Sequence, residues 1–197
     1  MLYNGINHTI GKGDMDMIIK KRLWFYIIPA LVVLAVLFAL YVTHYDKYSR
    51  IESINLDSEN INGISLMSKY DEAAVEKILG KVYTQYEKED YHMYLYDTTQ
   101  FSVAVKADEQ NDITGIYCSN IDDSLKTSRD IAKGSTFFDI RKAYGDSFIK
   151  KSYSDFMGSG DGYFITYADK SRRSQLQFEF NNLSGETVLT GISLSKY

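Results

Sequence analysis

The sequence predicts an α+β protein in which an N-terminal transmembrane helix precedes two tandem helix-plus-antiparallel-sheet repeats. Three observations predict this fold class. One long segment is almost entirely apolar, two short helical patterns each end in glycine, and each pattern is followed by segments of alternating apolar and polar residues. The predicted parts are a cytoplasmic tail (1–19), a transmembrane anchor (20–43), a spacer (44–60), a first repeat (61–120) and a second repeat (121–197).

The apolar segment begins at Leu23 and ends at Val42, which matches the roughly 20 residues that a helix needs to cross a bilayer core. Because Lys20, Lys21 and Arg22 directly precede it, the positive-inside rule places the N-terminus in the cytoplasm. We therefore expect a single-pass protein of the cell membrane with an extracytoplasmic C-terminal domain. The alternative is a cleaved signal peptide, but the segment is long for one and no Ala-x-Ala site follows it.

Residues 1–16 are polar, rich in glycine and without a periodic pattern, which predicts a cytoplasmic tail over 1–19. An alternative is that translation begins at Met15 or Met17. The residues from Gly11 to Asp14 can be encoded by a purine-rich ribosome-binding sequence, and Met17 opens a short basic segment. The sequence leaves both alternatives open.

The first predicted helix starts at Ser68 or Asp71, either of which can cap a helix N-terminus. It ends at Gly80, where a left-handed residue is expected after the last turn. Its apolar residues recur on one helical face: Ala74, Val75, Ile78 and Leu79.

The second predicted helix starts at Ser135 or Thr136 and ends at Gly145. Asp139 follows Thr136 by three positions, in the manner of a capping box. Its apolar face consists of Phe137, Ile140, Ala143 and Tyr144.

About three strands are expected after each helix. Aromatic or alternating apolar residues mark the strands at 91–96, 101–106 and 113–118, and again at 163–167, 175–180 and 189–194. Alternation with period two is typical of antiparallel strands with one buried face. We expect the two units to lie side by side in one larger sheet with helices on one face.

The residues from Lys133 to Asp146, followed by strands that end in Val188-Leu-Thr-Gly-Ile192, resemble the tandem α/β repeats of the β-lactamase-inhibitor-protein-like fold. Small envelope proteins of the SmpA/OmlA type have a similar helix-and-sheet unit. The resemblance covers residues 61–197. It implies a concave sheet that serves as a protein-binding surface.

Composition argues against several functions. Beyond Thr43 the chain has 18 Lys and Arg against 24 Asp and Glu, so 18 − 24 = −6, and this acidic body predicts no nucleic-acid binding. The histidines, at 8, 44 and 92, are too far apart in the predicted topology for a metal site or a triad. We therefore predict no enzyme and no cofactor. The single cysteine, Cys118, is expected to be a small buried hydrophobic residue.

The predicted function is a membrane-anchored extracytoplasmic module that binds a protein partner of the bacterial envelope. The alternatives are an assembly subunit of an envelope complex and a small-ligand-binding domain. Alternation places Tyr94 and Tyr96 on one sheet face, which is either open, making them interface anchors, or covered by the helix. The candidate partner-binding residues are Tyr91, His92, Tyr94, Tyr96, Arg172 and Arg173.

Overall fold

The computed structural model of the 197-residue chain describes residues 12–45, 47–96, 101–108, 110–119, 121, 124–154, 161–183 and 186–197. The chain divides into two compact units, Met1–Ser49 and Arg50–Tyr197.

The first unit is built around helix α1, Lys12–Tyr45. Within the described residues, α1 is the one helix long and apolar enough to cross a membrane, over Trp24–Tyr41, and none of that span is buried in the protein. A signal sequence near the N-terminus has the same properties. The chain therefore has one apolar N-terminal helix that is suited to be a membrane span or a signal.

Helix α1 extends further towards the N-terminus than the apolar segment. The prediction assigned no secondary structure to residues 12–19, whereas they form the first turns of α1. Once a helix is nucleated, each further residue adds a backbone hydrogen bond at little cost. No proline interrupts residues 12–19, because the single proline in the chain is Pro29. Polarity alone therefore did not mark a helix boundary.

The second unit contains a two-stranded hairpin and an eight-stranded sheet, together with two short helices. The elements are β1 (Asn60–Ile61), β2 (Ile64–Ser65), α2 (Glu72–Leu79), β3 (Val82–Glu87), β4 (Tyr91–Tyr96), β5 (Phe101–Lys106), β6 (Ile113–Ser119), α3 (Phe137–Tyr144), β7 (Ile149–Ser154), β8 (Asp161–Asp169), β9 (Ser174–Leu183) and β10 (Glu186–Lys196). The large sheet has the order β3-β4-β5-β6-β10-β9-β8-β7. All of its neighbouring strands are antiparallel. The predicted mixed fold with one large antiparallel sheet is confirmed.

Strands β6 and β10 meet at the centre of the sheet with a register that is symmetric between them. Tyr117 pairs with Ser193, and on either side Gly115 pairs with Ser195 and Ser119 with Gly191. Each of the two strands also carries a bulge just before its glycine, at Thr114 in β6 and at Thr190 in β10. The Thr114 hydroxyl donates to the carbonyl oxygen of Ala104, and the Thr190 hydroxyl donates to that of Glu179, each at 3.3 Å.

Both helices begin and end as the sequence predicts. Asp71 caps α2 by accepting a hydrogen bond from the Ala74 amide, and Thr136 and Asp139 form a reciprocal capping box on α3. Gly80 and Gly145 follow the helices with φ of 84° and 92°. Their ψ of −173° lies outside the predicted left-handed helical region, in a conformation that is essentially restricted to glycine.

The core lies between one face of the large sheet and the helices. Ile140 and Tyr144 of α3 are buried, and the Tyr144 ring lies 5.4 Å from the ring centroids of both Tyr167 and Phe178. α2 contributes less, because Val75 is its one buried residue and Ile78 is 44% exposed. The predicted apolar face of α2 is thus only partly used.

Residues 50–60, which the sequence placed in a spacer, belong to the sheet domain. Leu56 is buried in the core, and the Ile54 amide donates to the Ala168 carbonyl at 2.9 Å. Glu59 is 2% exposed and accepts a hydrogen bond from the Ser128 hydroxyl at 2.6 Å. This part of the predicted spacer therefore packs on the sheet domain, because its apolar residues contribute to the core.

The edge strands β3 and β7 are absent from the sequence-based prediction, which expected about three strands after each helix. Both edge strands are mostly exposed and neither contains a buried residue, so their sequences show no sustained alternation of apolar and polar residues. A strand with one neighbour and little burial leaves no hydrophobic pattern to read.

Candidate functional site

The face of the large sheet opposite the helices, here called the open face, is the candidate functional surface. The strand register and the alternation of side chains place small polar residues at its centre: Ser102, Gln175, Gln177, Ser193 and Ser195. Aromatic residues stand around them on the same face: Tyr91, Tyr117, Tyr153 and Phe164. Such a surface presents rings and hydrogen-bonding groups together.

Tyr117 lies flat against the backbone of Gly115. A Cβ at Gly115 would come within 2.6–2.8 Å of the Tyr117 ring, so a glycine is needed beneath it. The Tyr117 hydroxyl is hydrogen-bonded to Ser195, whose Oγ also accepts from Gln175 Nε2 at 3.0 Å. Burial raises the pKa of Tyr117, although the Ser195 bond opposes this. The ring is therefore a fixed part of the open face.

Tyr153 makes the corresponding contact at the β7 edge. Its ring lies 2.5 Å from where a Cβ of Gly162 would stand, and its centroid is 4.8 Å from that of Phe164. Its hydroxyl donates to Glu179 Oε1 at 2.6 Å and also contacts Asn181 Oδ1. These contacts hold the ring and the Glu179 carboxylate together.

Gly191 is the third glycine beneath this face, and no aromatic ring lies on it. Ser193 stands where the symmetric strand β6 has Tyr117, and the carboxylate of Glu179 takes the space, with Oε2 only 2.9 Å from a Cβ built on Gly191. A depression of about 240 Å³ results. Its lining includes Ser102, Tyr117, Phe164, Gln177, Glu179 and Ser193.

A wider depression of about 570 Å³ lies at the β7–β8 hairpin. Its lining includes Ser152, Tyr153 and Asp161. Residues 155–160, which link β7 to β8 in the sequence, fall outside the described part of the chain. The better-defined site is the Gly191 depression, which lies in the middle of the sheet.

Three of the predicted partner-binding residues, His92, Tyr94 and Tyr96, lie on the helix-covered face. Tyr96 is fully buried, and its hydroxyl is 2.6 Å from that of Tyr70; burial raises the pKa of Tyr96 to about 12. The half-buried Tyr94 stacks on Tyr70 with ring centroids 4.4 Å apart. Tyr96 is therefore a core residue and not an exposed anchor, because the segment before α2 covers this face.

The other predicted residues do not form one surface. Tyr91 lies on the open face at the end of β4, whereas His92 points to the opposite side. Arg172 and Arg173 are exposed in the turn between β8 and β9, where Arg172 forms an ion pair with Asp57. The Arg172 guanidinium therefore has a partner within its own chain.

The residues that shape the depression, Glu179, Gly191 and Ser193, are absent from the sequence-based site. A signal for them exists in the two Thr-Gly-Ile strings, at 114–116 and 190–192. Aligning these strings places Tyr117 against Ser193 and reveals the missing ring. Cys118 is a free, buried thiol whose pKa is raised by burial, so its predicted burial is confirmed.

The described residues contain no group of three or more His, Cys, Asp or Glu side chains arranged to hold a metal ion. No protein-family model matches this sequence, and no curated protein or solved structure matches the chain.

Proposed function

We propose that this chain is a single-pass membrane protein whose sheet domain lies outside the cytoplasm and binds a protein partner through the open face. The observation that carries the proposal is the one-sided covering of the eight-stranded sheet, with α2 and α3 on one face and fixed tyrosines on the other. Tyrosines that are already held in place lose little conformational entropy on binding, and tyrosine is enriched in protein interfaces. Packing of the Tyr117 and Tyr153 rings against glycines supplies that preorganisation.

The orientation rests on charge. Lys20, Lys21 and Arg22 precede the apolar span Trp24–Tyr41, and positive residues flanking a first span favour the cytoplasmic side. The sheet domain then faces outward at the end of α1. In this reading α1 is an uncleaved anchor.

We also infer that the two halves of the sheet domain are tandem copies of one unit. The symmetric register of β6 and β10, the matching bulges at Thr114 and Thr190, and the matching glycines after α2 and α3 support this. Two copies that pair edge to edge bury the strand each would otherwise expose. The same features support the predicted resemblance to the β-lactamase-inhibitor-protein-like fold, which stays a prediction.

The test is site-specific photo-crosslinking of the full-length protein in its native membrane. A photoreactive amino acid is placed at Ser102 or Gln177 on the open face, and at Phe138, which is 70% exposed on α3, as a matched control. We expect one protein to crosslink from the open-face positions and not from residue 138. Equal crosslinking from all three positions would contradict recognition by the open face.

A permanent assembly subunit is the second candidate, and edge strand β3 favours it. Tyr83 and Tyr86 are 71% and 54% exposed on that edge, where a further strand can pair with the backbone. Crosslinking that is strongest from residue 83, in a complex that survives detergent extraction, would support this alternative over transient binding by the open face.

A further inference from the structure

We propose that the depression at Gly191 receives an arginine side chain of the protein partner. This inference rests on the proposed function, because it names the chemistry that the open face recognises. The guanidinium is expected to lie in the depression beside Gly191, against the carboxylate of Glu179, with Tyr117 and Phe164 in the lining.

The first argument is a break in the symmetry of the sheet. On β6 the Tyr117 ring covers Gly115, whereas on β10 the equivalent position is Ser193 and the space over Gly191 holds no ring. The Glu179 side chain lies over Gly191 instead and leaves a depression beside it, which a planar group supplied from outside can enter. A guanidinium is planar and stacks on flat surfaces, whereas the lysine ammonium is a compact point charge.

The second argument is the charge in the depression. The symmetric counterpart of Glu179 is Ala104, because Glu179 pairs with Gly191 as Ala104 pairs with Gly115. The carboxylate is therefore found in this half of the sheet and not in the other. Tyr153 donates to Oε1 at 2.6 Å, while Oε2 lies over Gly191. Among the described residues, no lysine or arginine forms an ion pair with Glu179. The carboxylate is thus oriented by its neighbour and has no cationic partner in the part of the chain that the structure describes.

The surrounding charges agree with this assignment. Lys151 stands on the same face, but it lies on β7, two strands further from Gly191 than Glu179 on β9. The cation Lys106, at the far end of β5, is already paired with Asp108 at 2.5 Å. The chain beyond Thr43 has a formal charge of 18 − 24 = −6, which favours approach of a basic partner.

The third argument is size. A depression of about 240 Å³ is too small for a folded segment and suits a single long side chain. Its walls offer two aromatic rings for cation–π contact, and Gln177, Ser102 and Ser193 offer further hydrogen-bond acceptors. Arginine uses all of these groups at once, because it carries five donors in one plane.

The test titrates the ¹⁵N-labelled full-length protein, in lipid nanodiscs, with N-acetyl-arginine amide, and the probe N-acetyl-citrulline amide serves as the neutral isostere. We expect the arginine probe to shift the amide signals of Gly191, Ser193 and Ser119, while Gly115, covered by Tyr117, stays unchanged. The substitution E179Q keeps the acceptor for Tyr153 and should weaken binding about tenfold or more, because the charge-assisted bond is lost.

The substitution S193Y gives the second half the ring that the first half has. It should abolish the shifts at Gly191, because the new ring competes with the Glu179 side chain for the space over Gly191, and urea unfolding of the variant reports whether the sheet keeps its stability. Y117S is the matched control, which uncovers Gly115 beside Ala104 and should create no arginine site there.

Shifts at Gly191 that disappear in E179Q and S193Y support the assignment. Equal binding of the citrulline probe, or no shift at Gly191 at 50-fold excess over protein, overturns it. If crosslinking from Ser102 then persists in S193Y, the open face still binds a partner, but the partner does not insert an arginine at Gly191. If the protein without S193Y or E179Q shows no crosslinking from the open face, both the proposed function and the arginine site are contradicted.

Discussion

The paired hydroxyls of Tyr70 and Tyr96 allow a test of which tyrosines belong to the core. Their Oη atoms are 2.6 Å apart, with Tyr96 fully buried and Tyr70 half-buried. Tyr70→Phe strands the Tyr96 hydroxyl in the core, which costs about 1–3 kcal/mol of unfolding free energy. Tyr96→Phe leaves the Tyr70 hydroxyl where water reaches it, so the cost is closer to ~1 kcal/mol.

The double substitution removes both polar groups and keeps both rings. It should cost less than the sum of the single changes, with a coupling energy of about 1 kcal/mol, because no polar group is left stranded. The assay is urea unfolding of the full-length protein in detergent, followed by circular dichroism of the sheet, since the one tryptophan lies in α1. Equal costs for the two single changes, or strict additivity, would refute the reasoning. Crosslinking from the open face should be unchanged in all three variants.

Three further predictions concern acid stability, capping and topology. Asp169 is buried, which disfavours its charge, but hydrogen bonds from the Ser171 hydroxyl and from backbone amides outweigh this and lower its pKa. Its stabilisation is therefore complete above the unfolded-state pKa of about 3.9 and is lost as the pH falls through the lower folded value. Unfolding midpoints measured from pH 7 to pH 2 should fall less steeply in Asp169→Asn, and parallel curves would contradict this. Thr136→Ala removes the capping box of α3 and should cost about 1 kcal/mol in urea unfolding, whereas the exposed Phe138→Ser, as control, should cost little. In intact cells, Ser58→Cys should react with a membrane-impermeant maleimide, while unmodified protein, whose Cys118 is buried, should not; labelling only after lysis would reverse the topology.

Local chemistry explains why the helices were predictable. Asp71, Thr136 and the glycines at 80 and 145 act within a few residues of their own position, so their roles follow from the sequence. The inner strands were predictable because burial on one face imposes alternation. The edge strands β3 and β7 lack that burial, and nothing local distinguishes them from loops.

The candidate site shows the opposite limit. Tyr94 and Tyr96 satisfy every local criterion for an interface anchor, yet the side they occupy depends on where the segment before α2 crosses the sheet. Glu179 and Gly191 are unremarkable in sequence and become a site through pairing between β9 and β10. Their juxtaposition is a property of strand order.

The sequence by itself determined the apolar N-terminal helix, the two capped helices, the inner strands and the acidic balance, because each follows from composition or from short-range periodicity. Only the tertiary structure decided that β6 and β10 join the halves, that the helices cover the Tyr96 face, and that Gly191 lies under Glu179 without a ring. Alternation with period two separates the faces of a strand, but it cannot say which face is covered. That choice is made by long-range packing between segments that are distant in the chain.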